Sequence, residues 1–171
     1  MEEKTGYHSL PQPHELSERE KEDAMGAYLM MFAAVGAGLP LPVINLIAAI
    51  IYYYINRGKS PFIHFHSLQS LLSQIPTTVI NWGIVYIGVR YFFYDDPFTE
   101  IHKGYILMAI LANLIYFVFS IIAVVKARKG KFYYFLFFGK YAYEQVFSLS
   151  NTRSYGDKSP DTNTEVNKPP I

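Results

Sequence analysis

The chain contains no cysteine, and its central part contains very little acid. The absence of cysteine excludes disulfide bonds, thiolate zinc sites and cysteine nucleophiles. Between residues 24 and 149 the acidic residues are Asp95, Asp96, Glu100 and Glu144. The formal net charge of +1 provides no strong field that would attract nucleic acid, so we expect no nucleic-acid partner.

Three stretches lack charged residues altogether, and they run over 24–56, 60–89 and 104–125. A helix that crosses a ~30 Å hydrocarbon core needs about 20 mostly apolar residues, and each stretch is long enough. Helices of soluble domains carry a polar face. The three stretches therefore predict an integral membrane protein of all-α class, with the lipid bilayer as its main partner.

The first stretch is divided by prolines. Ser17 and Glu20 form a capping-box pattern, which predicts a helix over about 17–38. Pro40 and Pro42 then favour a break, and a second helix is expected over about 43–56. Each piece is short for a bilayer, so one kinked crossing, two short tilted crossings and a re-entrant hairpin all remain open.

Two longer helices and an aromatic segment follow. The second stretch predicts a helix over about 64–94, and the third predicts one over about 103–127 that Gly130 terminates. Residues 131–149 hold nine aromatics interrupted by charges, a pattern typical of a segment in the lipid head-group layer. The expected organisation is a flexible polar arm (1–15), a membrane domain (16–149) and a disordered tail (150–171).

One face of the predicted 64–94 helix is polar, because its polar side chains recur at steps of three and four residues. Such side chains should face protein or water rather than lipid. One interpretation is hydrogen bonding between helices, with Asn45 and Asn113 as partners. The other is a hydrophilic groove that lines a small pore. The residues of this polar face are His66, Gln69, Ser70, Ser73, Thr77 and Asn81.

Small residues in the first stretch indicate close helix packing. Ala33 and Ala37 are four residues apart, and Gly38 follows, so neighbouring backbones could approach closely there. Together with Asn45 and Asn113, these residues form the predicted helix-packing set.

Basic residues near the predicted membrane exits set the orientation. They follow the first and third stretches, whereas the loop between the second and third holds only Lys103. This alternation places the 57–59 loop and the C-terminus in the cytoplasm, with the N-terminus on the same side if the first stretch turns back. The cytoplasmic basic anchors are Arg57, Lys59, Lys126, Arg128, Lys129 and Lys131.

Signatures of chemistry are weak throughout the chain. The charge-free stretches contain no carboxylate, which argues against a proton- or sodium-coupled carrier. His64 and His66 lack a third ligand for a metal, and Ser70 has no acid that would orient a catalytic histidine. We expect no metal, no cofactor and no enzymatic activity.

Several motifs resemble those of a known family. Pro-Leu-Pro-Val-Ile-Asn (40–45), Ser-Pro-Phe-Ile-His-Phe-His-Ser-Leu-Gln-Ser-Leu (60–71) and Val-Lys-Ala-Arg-Lys-Gly-Lys-Phe-Tyr-Tyr (125–134) are similar to segments of small polytopic bacterial membrane proteins of unassigned function. That family is in turn similar to the twenty-kilodalton subunit of the chloroplast inner-envelope protein-import translocon. The resemblance covers roughly residues 16–147.

The resemblance implies a polytopic bundle of about four membrane helices in the bacterial inner membrane, with both termini on one side. It also implies a scaffold or accessory subunit of an inner-membrane assembly, linked to protein translocation or membrane-protein biogenesis. Its partners would be other membrane proteins or further copies of the chain. The alternative function is a small pore or uncoupled transporter lined by the polar face of the 64–94 helix.

Overall fold

The computed structural model describes residues 10–33, 42–135, 137–147 and 166–170. This part of the chain is helical and contains no strand, as the predicted all-α class requires. Its five α-helices are α1 (Glu18–Leu29), α2 (Pro42–Asn56), α3 (Pro61–Phe93), α4 (Glu100–Arg128) and α5 (Phe138–Phe147). A short 3-10 turn (Met30–Phe32) extends α1.

The helix starts follow from local capping. At α1 the predicted capping box is confirmed, because the Ser17 hydroxyl accepts from the Glu20 amide at 3.3 Å and the Glu20 carboxylate accepts from the Ser17 amide at 2.9 Å. At α3 the Ser60 hydroxyl accepts from the amide of Ile63, and Pro61 occupies the first helical position. The helix therefore begins at Pro61, three residues before the expected start at 64.

The remaining helix ends also differ by a few residues from the prediction. α4 begins at Glu100 rather than near 103. It ends at Arg128, and Gly130 adopts the left-handed φ of 69° that favours glycine after a helix. α1 gives way to the 3-10 turn at Met30, and residues 34–41, where the first predicted helix ends, lie outside the described residues.

α3 runs as one helix through Pro76. A membrane or protein environment tolerates such a proline because neighbouring groups can satisfy the freed carbonyl. Beyond the helix end the chain turns at Asp95, whose φ is 51°. The next residue, Asp96, forms an ion pair with Arg90 at 2.6 Å, which ties the turn to the last part of α3.

The packing directions can be read from side-chain contacts. Phe32 stacks edge-on with Phe117, while Glu18 pairs with Arg128, so α1 runs antiparallel to α4. The Tyr105 side chain lies against Gly83, whereas Asn81, earlier in α3, bonds Asn113, later in α4, so α3 and α4 form an antiparallel hairpin. α2 packs mainly on α3, and α5 packs on the N-terminal half of α3, where Phe65 lies in one cluster with Ala142 and Val146.

The buried core lies at the end of the molecule where α1 and α5 meet α3 and α4. It comprises two adjoining clusters. The buried members of the first are Leu16, Ala24, Tyr28, Phe62, Ala123, Ala127 and Phe135. Those of the second are Leu10, Phe65, Ala142, Tyr143, Val146 and Phe147. By contrast, the α3–α4 hairpin carries large apolar side chains on its outer surface. Examples of these exposed residues are Val79, Tyr86, Phe92, Ile101, Leu107, Leu111 and Ile115.

Within the described part, one helix is long and apolar enough to cross a membrane, and this is α4. Only 17% of its most apolar window is buried inside the protein, whereas a core helix of a soluble protein would be mostly covered. α2 is a shorter apolar helix. That α4 crosses a membrane, and the number of further crossings, stay predictions.

The aromatic segment packs on the protein. Residues 131–135 belong to no helix or strand, Phe132 packs on Phe62 of α3, and Phe135 is buried in the core. The position of this segment in the lipid head-group layer stays a prediction. Part of the tail is also attached. The Asn167 side-chain amide donates to the carbonyls of Pro11 and Gly130, at 2.7 and 2.9 Å, and so joins the N-terminal arm to the end of α4. The predicted flexible arm and disordered tail otherwise fall largely outside the described residues.

Candidate functional site

The centre of the polar face is a hydrogen-bonded cluster of three side chains. Gln69 donates through Nε2 to the Tyr28 hydroxyl at 2.7 Å, and that hydroxyl lies 2.8 Å from Nδ1 of His66. The Tyr28 hydroxyl accepts from Gln69 and can donate its proton to Nδ1 of His66, which corresponds to the tautomer that is protonated at Nε2.

Gln69 also holds the extended segment after α4. Its Nε2 donates to the carbonyl of Tyr133 at 2.8 Å, and its Oε1 accepts from the amide of Phe135 at 3.1 Å. The segment pairs with no strand among the described residues, and Gln69 satisfies two of its backbone groups in place of a sheet partner. Gln69 therefore connects α1, α3 and the aromatic segment.

Aromatic rings enclose His66. Phe62, Phe65 and Phe132 have ring centroids 4.5, 5.0 and 5.7 Å from the imidazole, and His66 is fully buried. Its Nε2 has no hydrogen-bond partner among the described residues. A ring sealed in this way is a packing element and lies out of reach of a dissolved substrate.

The hydroxyls farther along the face bond to backbone. Ser70 donates to the carbonyl of Ala27 at 2.7 Å and so joins α3 to α1. Ser73 and Thr77 donate to carbonyls of α3 itself, those of Ser70 and Ser73 respectively. Ser70 thus joins α3 to another helix, and the Ser73 hydroxyl also lies within hydrogen-bond reach of the Tyr116 side chain of α4.

The last part of the polar face reaches α4. Asn81 and Asn113 exchange hydrogen bonds through their side-chain amides, as the packing interpretation predicted for Asn113. Asn45 of α2 is half-buried and lines the same cavity as these two amides. The structure thus divides the predicted face into a filled cluster at His66 and a more open region at Asn81.

Of the predicted small packing residues, the structure describes Ala33 alone. It is half-buried directly after the 3-10 turn. Ala37 and Gly38 lie outside the described residues.

The basic anchors of two different exits meet the acidic start of α1. Lys59 pairs with Asp23 at 2.8 Å, and Arg128 pairs with Glu18 at 2.9 Å. The guanidinium of Arg57 lies 4.7 Å from the ring centroid of Tyr54, within cation–π range. These contacts place the C-terminal ends of α2 and α4 at one end of the molecule. The other predicted anchors are exposed or half-buried side chains, namely Lys126, Lys129 and Lys131.

Sequence reasoning missed Tyr28, Tyr133 and Phe135 as parts of this cluster. Tyr28 had a usable signal, because Ala24, Ala27 and Tyr28 recur at helical spacing and all three are buried in α1. The backbone carbonyl of Tyr133 and the backbone amide of Phe135 gave no such signal, because every residue type carries a backbone carbonyl and nearly every one an amide. The described part of the chain contains no group of three or more His, Asp or Glu side chains that could hold a metal ion.

Comparison with known proteins gives one family. A model of the magnetosome magnetite crystal formation protein family matches residues 20–141. No curated protein and no solved structure matches the chain. The match agrees with the expected small bacterial membrane protein, but it gives no support to the similarity with the chloroplast translocon subunit or to a role in protein translocation.

The matched range begins in α1 and extends into α5. It therefore includes the complete Tyr28–His66–Gln69 cluster, the Asn81–Asn113 pair and the apolar helix α4. The match covers more than half of the chain, and the protein belongs to the magnetosome magnetite crystal formation protein family, a family of bacterial magnetosome membrane proteins.

Proposed function

We propose that the protein is a non-enzymatic accessory protein of the magnetosome membrane that acts as a scaffold in magnetite crystal formation. The observation that carries this proposal is the family match over residues 20–141. The structure supplies a fitting shape, in which a rigid polar cluster at one end is joined to a hairpin with an apolar surface. That surface is available for lipid and for neighbouring membrane proteins or further copies of the chain.

The apolar surface supports a membrane location. Exposed Ile, Leu, Val and Phe side chains continue along α4 from Ile101 to Val125. A soluble monomer rarely exposes contiguous apolar area beyond a few hundred Å². We propose that α3 and α4 cross the bilayer as the main hairpin, and that α1 and α2 complete a four-helix membrane bundle.

The proposed orientation places the α1 end of the molecule in the cytoplasm. Lys59 and Arg128 lie at this end, and the opposite end carries the acidic turn at Asp95 and Asp96. Membrane proteins keep lysine and arginine on the cytoplasmic side, so this distribution favours the arrangement with both exits inside.

The polar cluster supports a structural rather than a catalytic role. The Ser70 hydroxyl donates to the Ala27 carbonyl rather than to His66, so no base activates it as a nucleophile. His66 Nδ1 is occupied by Tyr28, and aromatic rings cover the imidazole.

Gene deletion in the host bacterium tests the role in crystal formation. We expect the deletion strain to form magnetite crystals of altered number or size, measured by electron microscopy and magnetic response. Complementation with the native gene should restore them. Unchanged crystals in the deletion strain would refute the role.

A second set of strains tests the non-enzymatic assignment. Ser70→Ala removes one hydrogen bond between helices but leaves a small side chain, so the protein should accumulate and restore crystals. Val79→Leu, at an exposed position of the same helix, is the matched control. A Ser70→Ala protein that accumulates to the native level and fails to restore crystals would instead indicate catalysis at this serine.

A further inference from the structure

A cavity of about 420 Å³ lies between the 3-10 turn, α2, α3 and α4, away from the His66 cluster. Its volume falls within the range of roughly 300–1,000 Å³ that is typical of small-molecule sites. Its polar lining comes from three helices. The side chains that provide it are Asn45, Gln74, Thr77, Thr78, Asn81 and Asn113, with Tyr116 beside them.

The lining contains four side-chain amides and no charged side chain. Amides both donate and accept hydrogen bonds, so they suit a ligand that does the same. A charged ligand would have no counter-charge here, and an unpaired charge in a low-dielectric site is costly. The cavity therefore selects an uncharged polar group.

Gln74 shows that the polar lining is incomplete without an occupant. Its side chain is 2% exposed, and neither its Nε2 nor its Oε1 has a hydrogen-bond partner among the described residues. A buried amide left in this state costs about 1–3 kcal/mol, and such groups are normally satisfied by protein, ligand or ordered water. Nearby, the amides of Asn81 and Asn113 satisfy each other, so Gln74 is the group with unused bonding capacity.

The cavity reaches the apolar outer surface of α4. Ile110 and Leu114 line it and are 56% and 57% exposed. Both belong to the apolar surface that we assign to lipid. An occupant can therefore place a polar group beside Gln74 while its apolar remainder stays among the lipid chains.

We propose that this cavity binds the uncharged glycerol-ester head group of a diacylglycerol-type lipid. The free hydroxyl of such a lipid can donate to Gln74 Oε1, and its ester carbonyls can accept from Gln74 Nε2. Free glycerol offers the same hydroxyl chemistry from solution, but it lacks the chains that the surface at Ile110 and Leu114 would contact. The inference rests on the proposed position of α4 in the lipid bilayer, but not on the part played in crystal formation.

Photolabelling of the purified full chain in lipid nanodiscs tests the proposal. The probe is a diacylglycerol with a photoreactive group near its head. We expect label on peptides that contain Gln74–Asn81 or Ile110–Phe117, and competition by unlabelled diacylglycerol. Competition by free glycerol, equal competition by phosphatidylglycerol, or label spread over the outer face of α4 would each overturn the assignment.

Substitution gives the matched comparison. Gln74→Leu should reduce labelling about tenfold, since it removes both hydrogen bonds to the head group, about 1.4 kcal/mol in total. Val79→Leu, which lies on the same helix and is 65% exposed in the native protein, should leave labelling unchanged. Equal labelling of the native protein, Gln74→Leu and Val79→Leu would overturn the proposal.

A cysteine test avoids reliance on Gln74. The chain lacks cysteine, so Thr78→Cys in the cavity and Val79→Cys on the outer surface each provide a single thiol. Alkylation with N-ethylmaleimide should block photolabelling at Thr78→Cys and leave it intact at Val79→Cys. The opposite pattern, or no block at either position, would contradict a site inside the cavity.

Discussion

The side-chain amides of Asn81 and Asn113 are hydrogen-bonded to each other in both directions, at 3.0 and 2.8 Å. Asn113 lies well inside an otherwise apolar part of α4, and Asn81 lies at the C-terminal end of the polar face of α3. The pair therefore fixes the register between α3 and α4, where apolar contacts alone would allow the helices to slide. Asn113 also donates to the carbonyl of Ala109, which restricts its rotamer.

Single substitution of this pair should cost more than double substitution. Asn81→Leu leaves the Asn113 amide without its partner, and we expect a loss of about 1–2 kcal/mol in the free energy of unfolding. Asn113→Leu should have a similar effect. The double variant removes both polar groups, so its loss in the free energy of unfolding should be clearly smaller than the sum of the two single losses. The fluorescence of Trp82, the single tryptophan, reports unfolding in detergent micelles. If the double variant lost the full sum of the two single losses in unfolding free energy, the two residues would be uncoupled.

The two buried glutamines of α3 should respond in opposite ways. Gln69→Leu removes hydrogen bonds to Tyr28, Tyr133 and Phe135, so we expect a loss of about 2–4 kcal/mol and faster amide exchange at Phe135. Gln74→Leu removes an amide without partners in the described structure, so stability should stay equal or rise when no lipid ligand is added. Equal destabilisation by both variants would contradict the described bonding.

The sequence predicted the polar face because its period is a local property of one helix. Steps of three and four residues placed His66, Ser70 and Ser73 together, and all three are buried in the structure. Asn113 was identified as a partner because an amide within an apolar helix needs a polar contact. Such inferences need only the helical repeat and the cost of burying a polar group.

The arrangement around Gln69 could not be predicted, because it depends on a change of chain direction. The segment after Gly130 folds back along α3 and brings the backbone of Tyr133 and Phe135 to the glutamine. An aromatic run with scattered charges is equally typical of a membrane-interface segment. The choice between the two depends on packing partners distant in sequence, and no local pattern encodes those.

Glycine substitutions test this folded-back segment. A Cβ on Gly139 would lie 2.6 Å from the Cα of Tyr134, which is backbone and cannot move aside easily. Gly139→Ala should therefore destabilise the protein by about 1–3 kcal/mol. Gly88→Ala is the matched control, because that position in α3 faces open space and alanine should stabilise the helix by about 0.5–1 kcal/mol. Thermal unfolding of both variants in the same detergent measures the difference, and a neutral Gly139→Ala would contradict the close approach.

The capping box of α1 should make stability depend on pH. Partial burial raises the pKa of Glu20, but hydrogen bonds from the backbone and hydroxyl of Ser17, with a further one from Ser60, outweigh burial and hold the pKa below its ordinary value. A carboxyl whose pKa is lowered by folding stabilises the protein above its unfolded pKa, about 4.3 for glutamate, and loses that contribution as the pH falls through the folded value.

Glu20→Ala should therefore lower the free energy of unfolding by about 1 kcal/mol at pH 7, because it removes half of the capping box. The difference from the native protein should persist down to about pH 5 and narrow below about pH 4, where the native carboxylate becomes protonated. Arg19→Ala, at an exposed position in the same turn, serves as the control and should show no such narrowing. Denaturant unfolding across this pH range measures both variants. A Glu20→Ala deficit that stays constant at low pH would mean that the ionised carboxylate is not what stabilises the start of α1.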